Sequence, residues 1–537
     1  MRSFIIMNKM VLKQILGVAV VAFTLSNACA EVQLASPFTS HMVLQCDMKV
    51  PVWGTAKPGE AVTIEFAGQK KSATAGTDGR WRMELDPMKA SAESRTFRVV
   101  GSKTATPVEL GDVLVGEVWL ASGQSNMEFS MSKKVKSFAG VKNEEQEIAA
   151  ANYPLIRMFT GAAAKTFAPA ARVGGEWKIC NPENAPAFSA VGYFFARDLQ
   201  REIEIPVGIL SESFGGSTAE AWIRRETIAG NAQLKPMLDR FDVAVEQFRT
   251  NPPSIVAPPR SEDVSATNEV AVSRNRTGGT NAAAGRRRGS GAPRDPVQDQ
   301  HNPTVLFNGM IAPVLTYAIR GAIWYQGESI VGGQAGVALY PHVQATLVRD
   351  WRKLWGEGDF PFYIVQLAGQ DAGSNRPEVR EAQATILQLP NTGMAVATDI
   401  GERKNVHPKN KQDVGDRLAR IALAKTYGRK IEFSGPVYES MSVEGRAIRV
   451  KFSHAQGLRA RDGALKWFTI AGADGKFVSA EANIDGETVL VSSPEVAKPV
   501  SVRYAWVNFP DGGHLYNAAG LPAAQFRSDA PNLHLDN

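Results

Sequence analysis

From residue 108 the chain alternates short apolar runs with longer amphipathic ones, and few folds accommodate that alternation. VLVGEVWL, PVGILSESF, GAIWYQGES, FPFYIVQLA and GMAVATDI read as buried strands. GYFFARDLQREI, PHVQATLVRDWRKLW, EVREAQATILQL and QDVGDRLARIALAKTYG carry apolar residues at helical spacing. Strands joined through helices pair in parallel, and a parallel sheet buries both faces under those helices. The pattern predicts an α/β domain over 108–431, with a mostly parallel sheet and helices on both faces. Period-two runs flank it. VPVWGTA, AVTIEFAG, RWRMEL and FRVVG, broken by the turns KPGE and TDGRW, predict an N-terminal β-sandwich-like domain over 31–107. RAIRVKF, KWFTIAG, TVLVSS and VSVRYAWVNF predict a C-terminal β domain over 432–537. A chain of 537 residues is too long for one core, so three units suit its length.

Two segments stand outside this scheme. Residues 1–30 place Arg2, Lys9 and Lys13 before the apolar stretch ILGVAVVAFTL and end on Ala28-Cys29-Ala30. This is the grammar of a signal peptide cleaved before Glu31, and it predicts export to the periplasm or the cell exterior. Lipid attachment at Cys29 is the lesser alternative, because Ser26 stands where such signals usually carry Leu. The stretch is too short to span a bilayer, and no other segment is long and apolar enough, so no stable membrane insertion is expected. Residues 250–302 are rich in Pro, Gly, Ala and Arg and lack periodicity, which predicts a disordered insertion within the α/β domain. The net charge of +6 is concentrated in these two segments. The rest of the chain is nearly neutral, which argues against nucleic acid as a partner. After cleavage only Cys46 and Cys180 remain, neither a disulfide framework nor a metal site.

Ligands of a doubly wound sheet bind beyond the carboxyl ends of its strands. Four segments fall there. In WLASGQSNMEF, Ser125 follows a buried strand directly, with Asn126 beside it; Gly123-Gln124-Ser125-Asn126-Met127 is half of a nucleophile elbow, lacking the second glycine. In SESFGGS, Gly215 and Gly216 offer unhindered backbone N–H groups. In WYQGES, Gln326 has an amide able to donate to an oxyanion, and Glu328 follows it. A serine nucleophile needs a base, and of seven histidines His407 is best placed, in a polar loop between the strand GMAVATDI and an amphipathic helix.

These residues carry a family resemblance. GEVWLASGQSNMEF, SAVGYFFARDL, PVGILSESFGGSTAEAW, FNGMIAPV, WYQGES, FPFYIVQLA, REAQ and HPKNKQDVGDRLA occur in the order found in the sialate O-acetylesterase-like proteins, a branch of the SGNH (GDSL-like) hydrolase superfamily. SHMVLQCDMKVPVWGTAKPGEAVTI and LPAAQFRSD resemble the same group, so the resemblance spans nearly the whole mature chain outside 250–302. It implies an SGNH-type, flavodoxin-like sheet. The implied activity is that of a secreted serine esterase removing acetyl groups from sialic acid or another acetylated glycan, without metal or cofactor. Carried over by position, Ser125 is nucleophile and His407 base, with the oxyanion bound by Ser125 N–H, Gly216 or Gly215, and Gln326.

The acid departs from the pattern. Lys404 stands where the superfamily has its aspartate, three residues before the histidine, and Asn405 stands where this branch often has one. Asn405 can orient the imidazole only as a neutral acceptor. Asp399, at the end of the preceding strand, is the first carboxylate candidate and Glu328 the second; a Ser–His dyad is the remaining arrangement. A literal Asp-x-x-His occurs at Asp511–His514, in a glycine-rich turn of the C-terminal unit, and reads as a hairpin. Two further readings stay open: a non-catalytic glycan-binding protein on the same scaffold, suggested by the altered acid position, and a peptidase or lipase using the same chemistry.

Overall fold

A single strand of sixteen residues, β1 (Val108–Gly123), organises the molecule. The computed structural model describes residues 31–251, 294–529 and 535. The signal segment expected over 1–30 lies outside the described residues, as does most of the expected insertion. At the rise of ~3.3 Å per residue of a strand, β1 is long enough to serve two partners in succession. Its first half pairs with the N-terminal strands Ser91–Gly101, antiparallel, and Val43–Gln45, parallel. Its second half, Glu117–Gly123, is the middle of the parallel sheet. The boundary expected between 107 and 108 is therefore a shared strand and not a linker. One apolar core runs from Val32 through Leu423 without a break between the two units.

The central sheet continues with β2 (Tyr153–Thr160), β3 (Trp177–Cys180), β4 (Val207–Ser213), β5 (Gly321–Tyr325), β6 (Phe362–Val365) and β7 (Thr392–Ala395). Their spatial order is β3-β2-β4-β1-β5-β6-β7. All neighbours are parallel except β3 and β2. After β1 the chain builds the β4 side, then crosses over to build the β5 side. The carboxyl end of β1 is thus the point where the connections part and leave a crevice.

Helices lie on both faces, and the tryptophans of neighbouring strands show which is which. Trp119 of β1 packs edge-on against Phe195 of α2 (Ala190–Ile203) and stacks with Tyr363. Trp324 of β5 points to the other face, against Trp351 of α3 (Gln334–Trp355) and Trp222. Two further helices matter below: α4 (Arg376–Ala384) and α5 (Lys411–Lys425), the latter packed along α2. The disorder expected for 250–302 does not extend to its last residues. Asp295 caps the turn Pro296–Gln298, accepting from Val297 N–H at 2.9 Å, and Thr218 donates to the His301 carbonyl at 3.3 Å. Side-chain caps hold this stretch, so an apolar period does not reveal it.

The C-terminal strands form separate antiparallel sheets around their own core, which includes Ile448, Val450, Phe468, Val489 and Tyr504. They dock on the α/β body through buried charge. Arg380 of α4 is fully buried and donates to the carbonyls of Leu367, Val507 and Asn508 and to Gln525 Oε1, at 2.8–3.1 Å. Replacing it by methionine leaves four acceptors dry at the seam. Arg380→Met is expected to cost about 3 kcal/mol, read by calorimetry as earlier melting; an unchanged melting temperature would mean the seam does not depend on it.

Candidate active site

The turn after β1 is built by close approach. Gly123 has φ +136°, and a Cβ there would stand 2.2 Å from the Tyr325 carbonyl oxygen. Only glycine lets β1 end so near β5. Gln124 N–H then donates to that carbonyl (2.9 Å) and Gly123 C=O accepts from Phe214 N–H (3.0 Å), so both neighbouring strand ends are pinned to the turn. Ser125 opens the short helix α1 (Ser125–Glu128) and is half-buried.

His407 reaches the same point from the loop between β7 and α5. Its Nε2 lies 2.8 Å from Ser125 Oγ. For the hydroxyl to donate, the ring proton must sit on Nδ1. The imidazole is covered by Phe138, whose ring centroid is 4.7 Å away. Burial, with the positive charge of Lys411 second, pushes the His407 pKa down to about 4. The imidazole is therefore neutral, and competent as a base, across the ordinary pH range. Its low basicity is offset only if the proton transfer is well aligned.

Gly215 stands beside the serine, and Gly216 follows it in the chain with φ +70°. A Cβ on Gly215 would lie 3.6 Å from Ser125 Cβ and 2.8 Å from Glu128 Oε2, so a side chain there would crowd the site. The N–H groups of Ser125, Gly215 and Gly216 donate to no acceptor among the described residues. Backbone N–H groups without an acceptor are the kind that can receive a developing oxyanion.

Gln326 is not available in this way, contrary to the sequence expectation. It is fully buried, its Nε2 donates to Ser217 C=O (3.2 Å) and Ser329 Oγ (2.9 Å), and its Oε1 accepts from Tyr340 Oη (2.8 Å). Its amide is spent on bracing β5 against α3. The expected acids also sit elsewhere. Asp399 is held by Arg417 through two bonds of 2.7 Å and by Tyr516 Oη at 2.6 Å, and makes no bond to His407. Burial raises its pKa, but Arg417 and Tyr516 outweigh that and leave it below the usual range. Asn405 does not touch the ring: its Oδ1 accepts from His407 N–H (3.0 Å), and its Nδ2 donates to His407 C=O (2.8 Å) and Glu402 (2.9 Å). It shapes the loop backbone. Asp511 pairs with Arg403, and His514 is buried with Nε2 on Pro510 C=O; neither bonds Ser125 or His407. No carboxylate bonds the imidazole among the described residues.

Asn126 and Glu328, expected as supporting residues, do meet. Asn126 Nδ2 donates to Glu328 Oε1 and to the carbonyl of Val406 (3.0 Å), and Asn126 Oδ1 accepts from Lys411 Nζ (2.5 Å). Lys411 and Phe138 escaped the sequence reading. Lys411 had one detectable signal: it opens a helix, where the helix dipole disfavours a cation. Phe138 had none, because its loop has no period. Among the described residues no cluster of three or more His, Cys, Asp or Glu could hold a metal, and no helix is long and apolar enough to cross a membrane.

These placements change what substitution should do. Gln326→Ala is expected to lower stability by about 2 kcal/mol, with kcat of the folded enzyme within about tenfold of the parent; a selective loss of 10²–10³ in kcat would return Gln326 to the oxyanion site. Asp399→Asn is expected to lower stability by about 3 kcal/mol as Arg417 loses its charged partner, read as earlier melting, and to leave the acidic limb of the rate profile in place. A moved limb would put Asp399 back on the imidazole.

The chain is similar to several known proteins. Residues 298–424 match the family described as carbohydrate esterase, sialic acid-specific acetylesterase. Sialate O-acetylesterase of Mus musculus is 27% identical over 535 residues, covering 89% of this chain and 90% of that protein. The Homo sapiens enzyme is 26% identical over 528 residues, covering 89% and 88%. The crystal structure of a carbohydrate acetylesterase from Xanthomonas citri is 34% identical, with a TM-score of 0.75, covering 93% of this chain and 99% of that one. The chain belongs to the sialic acid-specific acetylesterase family of carbohydrate esterases, and is a carboxylic ester hydrolase acting on O-acetylated sugars.

Proposed function

We propose that the chain is an exported serine O-acetylesterase on an SGNH-type sheet, with Ser125 as nucleophile and His407 as general base. The observation that carries this reading is the 2.8 Å contact between Ser125 Oγ and His407 Nε2 at the carboxyl end of the central strand. His407 takes the hydroxyl proton as Oγ attacks the acetyl carbonyl. The oxyanion is received by the free N–H groups of Ser125, Gly215 and Gly216. Collapse breaks the ester bond, and the leaving sugar oxygen takes the proton from His407. A water, deprotonated in turn by His407, then releases acetate from Ser125. Among the described residues no carboxylate bonds the His407 ring, which supports a Ser–His dyad as the arrangement. Export rests on the leader at 1–30, and the relatives' names support acetylated sialic acid or another acetylated glycan as substrate.

Ser125→Ala is expected to lower acetate release from an acetylated sugar by about 10⁴ or more with an unchanged circular-dichroism spectrum; near-normal turnover removes Ser125 from the mechanism. The neutral imidazole is the active form, so kcat/KM should rise with pH through the His407 pKa of about 4. The acidic limb should therefore lie well below the ordinary histidine value of ~6.5, and a limb near that value would contradict a half-buried imidazole near the charge of Lys411.

A further inference from the structure

We infer that Lys411 is a positioning residue of this site, holding Asn126 between itself and Glu328 so that the serine turn and the histidine loop stay in register. The inference rests on Ser125 and His407 being nucleophile and base.

Lys411 is an anomaly that needs a reason. It is fully buried and is the first residue of α5. Burial and the positive end of the helix dipole both disfavour a cation there. Its Nζ makes one hydrogen bond, to Asn126 Oδ1, and otherwise faces the rings of Phe129 (4.6 Å) and Tyr325 (5.4 Å). Cation–π contact with two rings and one charge-assisted bond is the compensation.

Asn126 is where that compensation reaches the chemistry. It is buried and follows Ser125 directly in the chain. Its orientation is settled by its partners. Nδ2 faces the Val406 carbonyl, which can only accept, so Oδ1 must be the atom facing Lys411. One amide therefore joins four segments: the turn after β1, the residue before His407, the end of β5 through Glu328, and the start of α5. An ordinary triad fixes its histidine through a carboxylate on the ring. Here the carboxylate is Glu328, and it acts on the amide next to the nucleophile instead.

The charges around this bracket are few. Glu328 and Glu402 face Lys411 and Arg376 faces Glu328, while Tyr325 lies against both Lys411 and Glu328. The Glu128–Lys136 ion pair stands beside Gly215, with no bond to the imidazole. Burial brings the Lys411 pKa down to about 7 against the pull of the two carboxylates. Lys411 is therefore charged at the acidic pH where His407 titrates, and its charge favours the neutral ring.

The test uses the full chain with Lys411→Met, which keeps the linear shape and removes the charge. The expected result is a kcat lower by about 10–100-fold with KM for an acetylated sugar within about threefold. The acidic limb of kcat/KM should also move up by about one pH unit, because the ring loses a positive neighbour. A lower melting temperature with an unmoved limb would reduce Lys411 to a packing residue and overturn the inference. Should Lys411→Met fail to fold, Asn126→Ala decides. It cuts the bracket but leaves the lysine, so kcat should fall at least tenfold with the limb in place; parental kcat overturns the proposal. Ser125→Ala, run alongside, separates the two claims. Activity in Ser125→Ala means that the nucleophile was misread, whereas an inert Ser125→Ala with an unshifted Lys411→Met means that only the bracket was.

Discussion

The pairing of β1 with parallel neighbours on both sides is the constraint on which the site depends. Because β4 and β5 run alongside it in the same direction, all three strands end on one edge of the sheet. Their connections leave in opposite directions, so the edge stays open at β1. The backbone bonds Gln124–Tyr325 and Phe214–Gly123 then fix the serine turn to both flanking loops before any side chain is considered. The glycine at 123 is required by this closeness, since a Cβ would occupy the space of the Tyr325 carbonyl. Among the described residues the N–H groups at 125, 215 and 216 lie next to these backbone bonds in the chain but take no part in them.

Buried charge does the remaining positioning, and it is divided between two tasks. Asp399, Arg417 and Tyr516 form a closed network between β7, α5 and the C-terminal sheets, and Arg380 adds a second fastening at the same seam. These groups hold the C-terminal unit against the helices that carry the histidine loop. Lys411, Asn126 and Glu328 form a separate network inside the site. The aspartate nearest in sequence to the histidine strand belongs to the first task and not to the second. The outcome is a histidine ring bonded by no carboxylate among the described residues, half-buried against Phe138 and kept neutral.

Sharing a strand also binds the N-terminal unit to this arrangement. The first half of β1 is held by N-terminal strands through an antiparallel ladder, and Glu117, midway along it, pairs with Arg320 and accepts from Tyr427 Oη. Strain or disorder in the N-terminal strands would reach the serine through one continuous backbone.

The α/β alternation, the strands that end at the rim, and the Ser125–His407 pairing were all legible in the sequence. Each rests on local pattern: apolar period, a polar segment after a buried run, and few histidines from which to choose. The shared strand was hidden because a period-two run and a fully apolar run meet inside β1 without a turn. The ordered residues 294–302 were hidden because side-chain caps hold them without an apolar face. The partners of Gln326, Asp399, Asn405 and Lys411 were beyond sequence reading altogether. Polar side chains on one rim compete for the same donors and acceptors, and which partner each one takes depends on differences of a few tenths of an ångström that only the folded chain sets. By itself the sequence determined the layers of the molecule and which residues arrive at the site, because those follow from periodicity. Only the tertiary structure decided what each polar group does there, because hydrogen bonds are short, directional and exclusive.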